Sequence, residues 1–220
     1  MLKTYEDMLF GIQRNIIALA EKIITSNKLV LQTIENKDVV KFDEAKAFLK
    51  GFAKNANELD KQMVRVLALY SPEAKDLREV VAYLKITNEL NRAAIKTRKY
   101  IKNISQNQND ELFNEIVLTY TIPMHKETIS ALEHSINIIS TDDSDEMQFH
   151  LKNTELAEVQ TDQLYTMIET NMFKIMCDLN NNKKEYLDVL ISLRGLDKIA
   201  DRALSIAKLL IYAKIGGELD

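Results

Sequence analysis

An all-α fold, two tandem three-helix bundles, is what this chain predicts, and three observations predict it. Helix breakers are scarce: 5 Gly and 2 Pro in 220 residues, among many Leu, Ile, Ala, Lys and Glu, leave long stretches with nothing to stop a helix. Apolar residues recur with helical periodicity from end to end. The layout also repeats. A long helix, a second long helix, a turn and a third helix occur on each side of Gln106-Asn107-Gln108-Asn109-Asp110, a stretch with no apolar residue. The expected division is residues 1–105 and 106–220, six long helices in all.

Taken in order, the first helix is expected over Tyr5–Asn36 and the second over Asp38–Leu69, with Asp38 as N-cap. Ser71-Pro72-Glu73 reads as a helix start, Ser capping and Pro in the first turn, for a third helix to Ile104. The fourth runs Glu111–Ser140, with Pro123 expected to kink or break it near Thr121. Asp142 is the expected N-cap of a fifth helix to Leu179. Asn180-Asn181-Asn182 is a turn, and the sixth helix, Lys183–Ile215, is ended by Gly216-Gly217.

Composition bounds the function. Hydrophobic residues make up 46% and charged residues 28%, ordinary for a globular chain able to bury a sizeable core. The net charge of -4 argues against nucleic acid as the main partner, which needs a basic surface. Arg92, Lys96 and Lys99 share a helix face, read as solvated. Cys177 is alone, so no intrachain disulfide forms, and its apolar neighbours suggest a packed thiol. Met1–Leu19 has Glu6 and Asp7 ahead of its apolar residues and does not read as a secretory signal. No apolar run approaches a bilayer span. The expected compartment is the cytoplasm, with any membrane association only through partners. His125, His134 and His150 are scattered in sequence, none with a partner His nearby, and are expected as surface or core residues rather than metal ligands.

The feature that points to chemistry is in the fifth helix. Tyr165, Ile168, Met172 and Met176 form an apolar stripe when the helix is wound at about 100° per residue. Glu155, Glu158, Asp162 and Glu169 fall within that stripe, where a carboxylate is costly unless its charge is compensated. In the earlier copy the matching positions are Ala53, Ala56, Asp60 and Leu67. In the last helix Leu196, Ile199, Ala200, Ala203, Ile206, Ala207 and Leu210 make the buried arc. Asp197 and Asp201 lie one turn apart on its edge, and Lys198 and Arg202 are expected to face away. Packed as antiparallel neighbours, the two helices bring Asp197 and Asp201 toward Glu158 and Asp162, with Glu155 nearby. Such a cluster needs a cation or must hold protons. An all-oxygen set suits magnesium, calcium or manganese, and carboxylate cages also hold iron. In the first half the equivalents are Ala56, Asp60, Asn91 and Ile95, with Glu58 and Glu89 at other positions, so no such site is expected there. The Glu-x-x-His pattern of di-iron bundles is absent, as are a glycine-rich phosphate loop and a nucleophile elbow. Without a nucleophile or general acid, no catalytic residue is assigned.

Three stretches together resemble the PhoU family of phosphate-signalling regulators. Pro72-Glu73-Ala74-Lys75-Asp76-Leu77-Arg78 is similar to the family's Pro-x-Ala-x-Asp-Leu-Arg segment. Leu196-Asp197-Lys198-Ile199-Ala200-Asp201-Arg202-Ala203 is similar to its Glu/Asp-x-x-x-Asp metal signature. Ile211-Tyr212 with Gly216-Gly217-Glu218 resembles its closing segment. The resemblance spans the chain and its duplicated layout. It departs at Asn91 and Ile95, where the family carries acids, at Asp197 for the commoner Glu, and at Arg202 for a His. It implies metal ligands at Asp197, Asp201, Glu158 and Asp162, with the metal's identity (iron, zinc, magnesium, manganese or calcium) open. It implies a non-catalytic cytoplasmic adaptor between a phosphate ABC transporter's ATPase and a sensor histidine kinase, and it allows a homodimer. Two alternatives are an accessory protein of a secondary phosphate transporter and a metal-dependent hydrolase.

Overall fold

The computed structural model describes residues 2–36, 41–107, 117–178 and 183–217, and among them regular structure is helical throughout, with no strand. The helices are α1 Leu2–Asn36, α2 Lys41–Phe48, α3 Phe52–Tyr70, α4 Ala74–Asn107, α5 Ile122–Asn137, α6 Ser144–Asp178 and α7 Lys183–Lys214. A π-helical turn, Val117–Thr121, leads into α5, and a 3₁₀ turn, Ile138–Ser140, follows it. The expected N-cap at Asp38, the Gln106–Asp110 linker beyond Asn107, the start at Glu111, the Asn180–Asn182 turn and the side chain of Cys177 lie outside the described residues.

Each expected rod is present, with three local corrections. The second is broken: Gly51 sits at φ 73, a left-handed conformation that only glycine adopts without strain, and separates α2 from α3. A lone glycine inside a helical pattern gives no other sign of a break. Ser71 caps the preceding helix rather than the following one, its N–H donating to the Leu67 carbonyl at 3.2 Å. At α6 the cap is Asp143, not Asp142: its carboxylate accepts the N–H groups of Asp145 (2.8 Å) and Glu146 (3.0 Å). Asp142 instead takes Lys214 Nζ at 2.9 Å, tying the end of α7 to the α5–α6 turn. Pro123 acts as expected, standing at the start of α5 directly after the π turn.

α1 packs on α2, α3 and α4, and α5, α6 and α7 pack on one another. The third helices of the halves, α4 and α7, share the most extensive interface, and α1 also meets α5, so the apolar core is continuous from Tyr5 to Ala213. Both central helices bury small residues, Ala93 and Ala94 on one, Ala200, Ala203 and Ala207 on the other. Gly195 lies so near α4 that a Cβ there would stand 3.6 Å from the Tyr100 Cβ. Two of the motif stretches meet across this seam. The Arg78 guanidinium lies 5.9 Å from the centre of the Tyr212 ring. Gly216, at φ 93, is so close that a Cβ would fall 2.9 Å from Arg78 Nη1.

A sealed polar chain also crosses between the halves. Tyr100 on α4 contacts His125 Nδ1 on α5 at 3.3 Å, and His125 Nε2 contacts Asn27 Oδ1 on α1 at 3.1 Å. Asn27 Nδ2 donates to the Ile23 carbonyl and to Thr97 Oγ1, which donates to the Ala93 carbonyl. One proton arrangement satisfies every partner. The tyrosine hydroxyl donates to a bare Nδ1 and the Nε2–H donates to the amide oxygen, so His125 is neutral. Burial pushes its pKa down to about 3.

Candidate functional site

Asp197 and Asp201 project from α7 toward α6. Asp197 is nearly sealed, 5% exposed, and Asp201 is partly buried. Across from them, Glu158 on α6 is half-buried and Asp162 is exposed. Burial pushes the Glu158 carboxyl above its usual range, and the charges of Asp201, Asp162 and Asp197 push it further, with Lys198 opposing. Burial likewise raises Asp197; the hydrogen bond and charge of Lys198 oppose this, while Asp201 and Asp162 add to it. Four of the five sequence candidates are therefore near enough to feel one another's charge. Glu155 is exposed, and Glu169, half-buried, accepts from its own Tyr165 hydroxyl at 3.2 Å.

The acids do not lie in the middle of the buried face of α6, as expected, but along its edge. At the N-terminal end the inward positions belong to Thr154, Ala157 and Thr161, all sealed. The threonine hydroxyls are satisfied by the carbonyls one turn back, at 2.9 and 2.7 Å, so short side chains pack there without polar cost. The apolar stripe of Tyr165, Ile168 and Met172 takes over only in the second part of the helix. Burying Ile168 and Met172 contributes about 1.5–3 kcal/mol each.

Lys198 and Arg202 do not face away. The Lys198 ammonium bends back over its own helix, 3.0 Å from Asp197 Oδ2 and 2.8 Å from Asp201 Oδ2. Its pKa is raised, chiefly by the hydrogen bond to Asp201. Arg202 Nη1 reaches Glu89 Oε2 on α4 at 3.0 Å, and Arg92 takes the other Glu89 oxygen at 3.1 Å. Glu89, set aside by position, thus joins the site through Arg202. Glu158, Asp201 and Glu89 open on a cleft of about 430 Å³ whose wall also holds Lys85, Asn88 and Lys208.

The charge that a buried acidic cluster demands is therefore supplied, at least in part, by a tethered ammonium. Oxygen donors of this kind fit a hard cation. The spacing in this structure is nevertheless the one Lys198 sets: among the described residues, no three carboxylates or imidazoles gather closely enough to close a metal shell. In the first half, the matching Ala56 is sealed, Ile95 is exposed and Asn91 is half-buried. Asp60 keeps one buried carboxylate oxygen without a hydrogen-bond partner, and burial raises its pKa.

One constellation was not legible in the sequence. His134 on α5 and His150 on α6 meet with their Nδ1 atoms 2.9 Å apart, against the expectation that no histidine has a histidine partner. A separation of 16 residues hides the pair. An antiparallel hairpin with a turn near Thr141 is what brings the two positions level.

Comparison with known proteins agrees with this architecture. The PhoU domain family model matches residues 16–108, the half without the acidic cluster. The phosphate-specific transport system accessory protein PhoU homologue of Xylella fastidiosa strain Temecula1 is 23% identical over 233 residues, covering 100% of this chain and 88% of its own length. The homologue of Zymomonas mobilis is 22% identical over 199 residues, covering 90% and 77%. Among solved structures, PhoU from Pseudomonas aeruginosa superposes with a TM-score of 0.81 at 17% identity, covering 97% of this chain and all of that one. The phosphate transport system regulatory protein PhoU from Streptococcus pneumoniae gives 0.78 at 19% identity, covering 98% and 99%. With the PhoU family pattern on its first half, PhoU homologues along its full length and the same helical fold, the chain is similar to the PhoU family from end to end.

Proposed function

We propose that this protein is a non-catalytic regulatory accessory of a phosphate-specific transport system. The observation that carries the reading is likeness over the whole chain to accessory proteins of such systems, with most of the relatives' length covered. The fold agrees: long, rigid helices present extended faces suited to docking proteins. No helix among the described residues is long and apolar enough to cross a membrane, so on this reading the protein works in the cytoplasm and reaches the transporter by protein contact. Its partners are the transporter's ATPase and a sensor kinase, and a homodimer is part of the same reading. Deleting the gene tests it. Phosphate uptake and phosphate-responsive transcription are expected to lose their dependence on external phosphate and to recover on complementation. Unchanged uptake and transcription would overturn the reading.

The acidic cluster is the second part of the proposal. Asp197, Asp201, Glu158 and Asp162 would hold a divalent or trivalent cation once the Lys198 ammonium swings into the adjoining cleft. A bound cation supplies compensating charge and would fix α6 against α7, stabilising the folded shape by mass action. Metal analysis of protein purified without chelator is expected to find the cation. It should be lost from the double variant Asp197→Ala, Asp201→Ala. A protein that takes no cation under any loading condition would remove this part and leave the accessory role standing.

A further inference from the structure

We propose that His134 and His150 form a two-imidazole site for a divalent late transition-metal ion, bridging α5 and α6 and separate from the acidic cluster. The geometry carries it. The two Nδ1 atoms stand 2.9 Å apart, sharing a hydrogen bond, with the rings tilted 47° to each other. Two metal–nitrogen bonds of about 2.05 Å at a tetrahedral angle hold their nitrogens roughly 3.3 Å apart. The pair therefore needs to open by only about 0.4 Å, within reach of small side-chain rotations. Both rings are already held. The Phe149 ring packs edge-on against each, at 5.9 and 5.4 Å, and the backbone between them is the Asp143-capped start of α6. Glu146 Oε1 lies 3.9 Å from His150 Nε2 and is itself fixed by the Thr141 hydroxyl. A carboxylate on that side orients a ligating imidazole once it closes from 3.9 Å to hydrogen-bond distance.

Protonation is compatible with a metal. With Nε2–H of His150 facing Glu146, its Nδ1 is bare and accepts from the Nδ1–H of His134. His134 then needs only to move that proton to its own Nε2 for both Nδ1 lone pairs to be free, and no net proton is released. Burial, and then the charge of His150, lower the pKa of His134, with Glu133 opposing. Glu133 is itself paired with Lys28 on α1. Water completes the shell at the half-exposed edge of the pair. Imidazole donors favour Cu²⁺ over Zn²⁺, whereas the carboxylate cluster suits harder ions, so the two sites sort by metal type.

The test is Cu²⁺ titration of chelator-stripped protein, followed by pulsed electron paramagnetic resonance. One equivalent is expected to show couplings to two imidazole nitrogens and to survive in the Asp197→Ala, Asp201→Ala double variant. His134→Gln and His150→Gln, each checked for native helicity, should weaken binding by at least about tenfold. Glu146→Gln should weaken it by about tenfold with both nitrogens still coupled. Copper bound through oxygen alone in the wild-type protein, or binding undiminished in both histidine variants, would overturn the site. The wild-type spectrum decides even if a variant fails to fold.

Discussion

The sequence repeat aligns α3 and α4 with α6 and α7, yet only the second pair gathers charge. Against Glu158, Asp162, Asp197 and Asp201 the first half sets Ala56, Asp60, Asn91 and Ile95. The residue after the first acid of the α7 pair is Lys198, whose ammonium lies over both aspartates. Its counterpart Arg92 has no acid pair to cover and reaches Glu89 instead. The aligned position in the first half does not need an acid, since Ala56 is sealed there. What the second half keeps is a set of mutually repelling carboxylates held at a folding cost, and costs of this kind concentrate where a protein does something. The lone Asp60 is the control: one member of the set, with no neighbours to justify it and one buried oxygen unsatisfied.

The largest test breaks the seam on which the comparison rests. His125→Leu leaves the Tyr100 hydroxyl and the Asn27 amide oxygen buried and unpaired, at about 1–3 kcal/mol each, so a loss of about 3 kcal/mol is expected at pH 7 in denaturant unfolding. The loss depends on pH. An unfolded imidazole takes a proton near pH 6.5, whereas the buried one stays neutral to about 3. Between those values the unfolded state binds more protons, so the stability due to neutral His125 is present above about 6.5 and is lost as pH falls toward 3. The gap between wild type and variant should narrow over that window. A gap that stayed constant would show that His125 is not held neutral.

Next in size is the tethered cation. Lys198→Met strips the nearly buried Asp197 of its partner and is expected to cost about 2 kcal/mol, below the full cost of breaking a sealed pair because the lysine is partly exposed. Arg92→Met in the first half should cost only about 0.3 kcal/mol, because that pair is an exposed, one-turn contact. Calorimetry with added Mn²⁺ sharpens the contrast. Without the competing ammonium, the Lys198→Met cluster should bind the ion more tightly than wild type and recover stability as it fills. Equal binding by the two proteins would mean that Lys198 does not stand in the cation's place.

Much of this fold was legible because helices write themselves locally: periodicity, few glycines and the two-fold order of elements place every rod. The errors fall where one residue plays against expectation or where partners are distant. Gly51 breaks a helix that its neighbours would continue. Ser71 and Asp142 were read one role or one position away from the caps that form. The acidic candidates were found because charge in an apolar period is a local anomaly, although Thr154 and Thr161 moved them from the middle of the face to its edge by taking the buried positions with satisfied hydroxyls. Lys198 bending onto Asp197 and Asp201, Arg202 reaching Glu89 and His134 meeting His150 could not be read, since each depends on a side chain's path or on register between helices.

A smaller change should have the opposite sign. Asp60→Asn keeps the shape of the side chain and removes the charge that burial disfavours, so about 1 kcal/mol of stabilisation is expected. Burial raises the folded pKa of Asp60, so the folded state holds its proton more readily than the unfolded chain does. The aspartate's contribution is then most favourable at low pH and is lost as pH rises through that folded value. The advantage of the Asp60→Asn variant should accordingly be largest at neutral pH and fade on acidification. The same sign applies to Glu158 and Asp197, so Glu158→Gln should stabilise the metal-free protein while abolishing any gain from added cation. A Glu158→Gln variant that kept the gain would place the cation elsewhere.

The smallest expected effect marks the boundary of the cluster. Glu155 stands one turn before Glu158 but is exposed, in solvent dense enough in counter-ions to screen it. Glu155→Ala replaces a surface carboxylate with a better helix former, so its stability should stay within about 0.5 kcal/mol of wild type. Its cation affinity should equal that of wild type when both are titrated under the same salt. If Glu155→Ala instead weakened binding as strongly as Asp162→Asn, the ligand set would extend a full turn further along α6. The cation would then sit farther from the Lys198 ammonium than the Asp197–Asp201 pair implies, and the lysine would lie beside the ion rather than in its position.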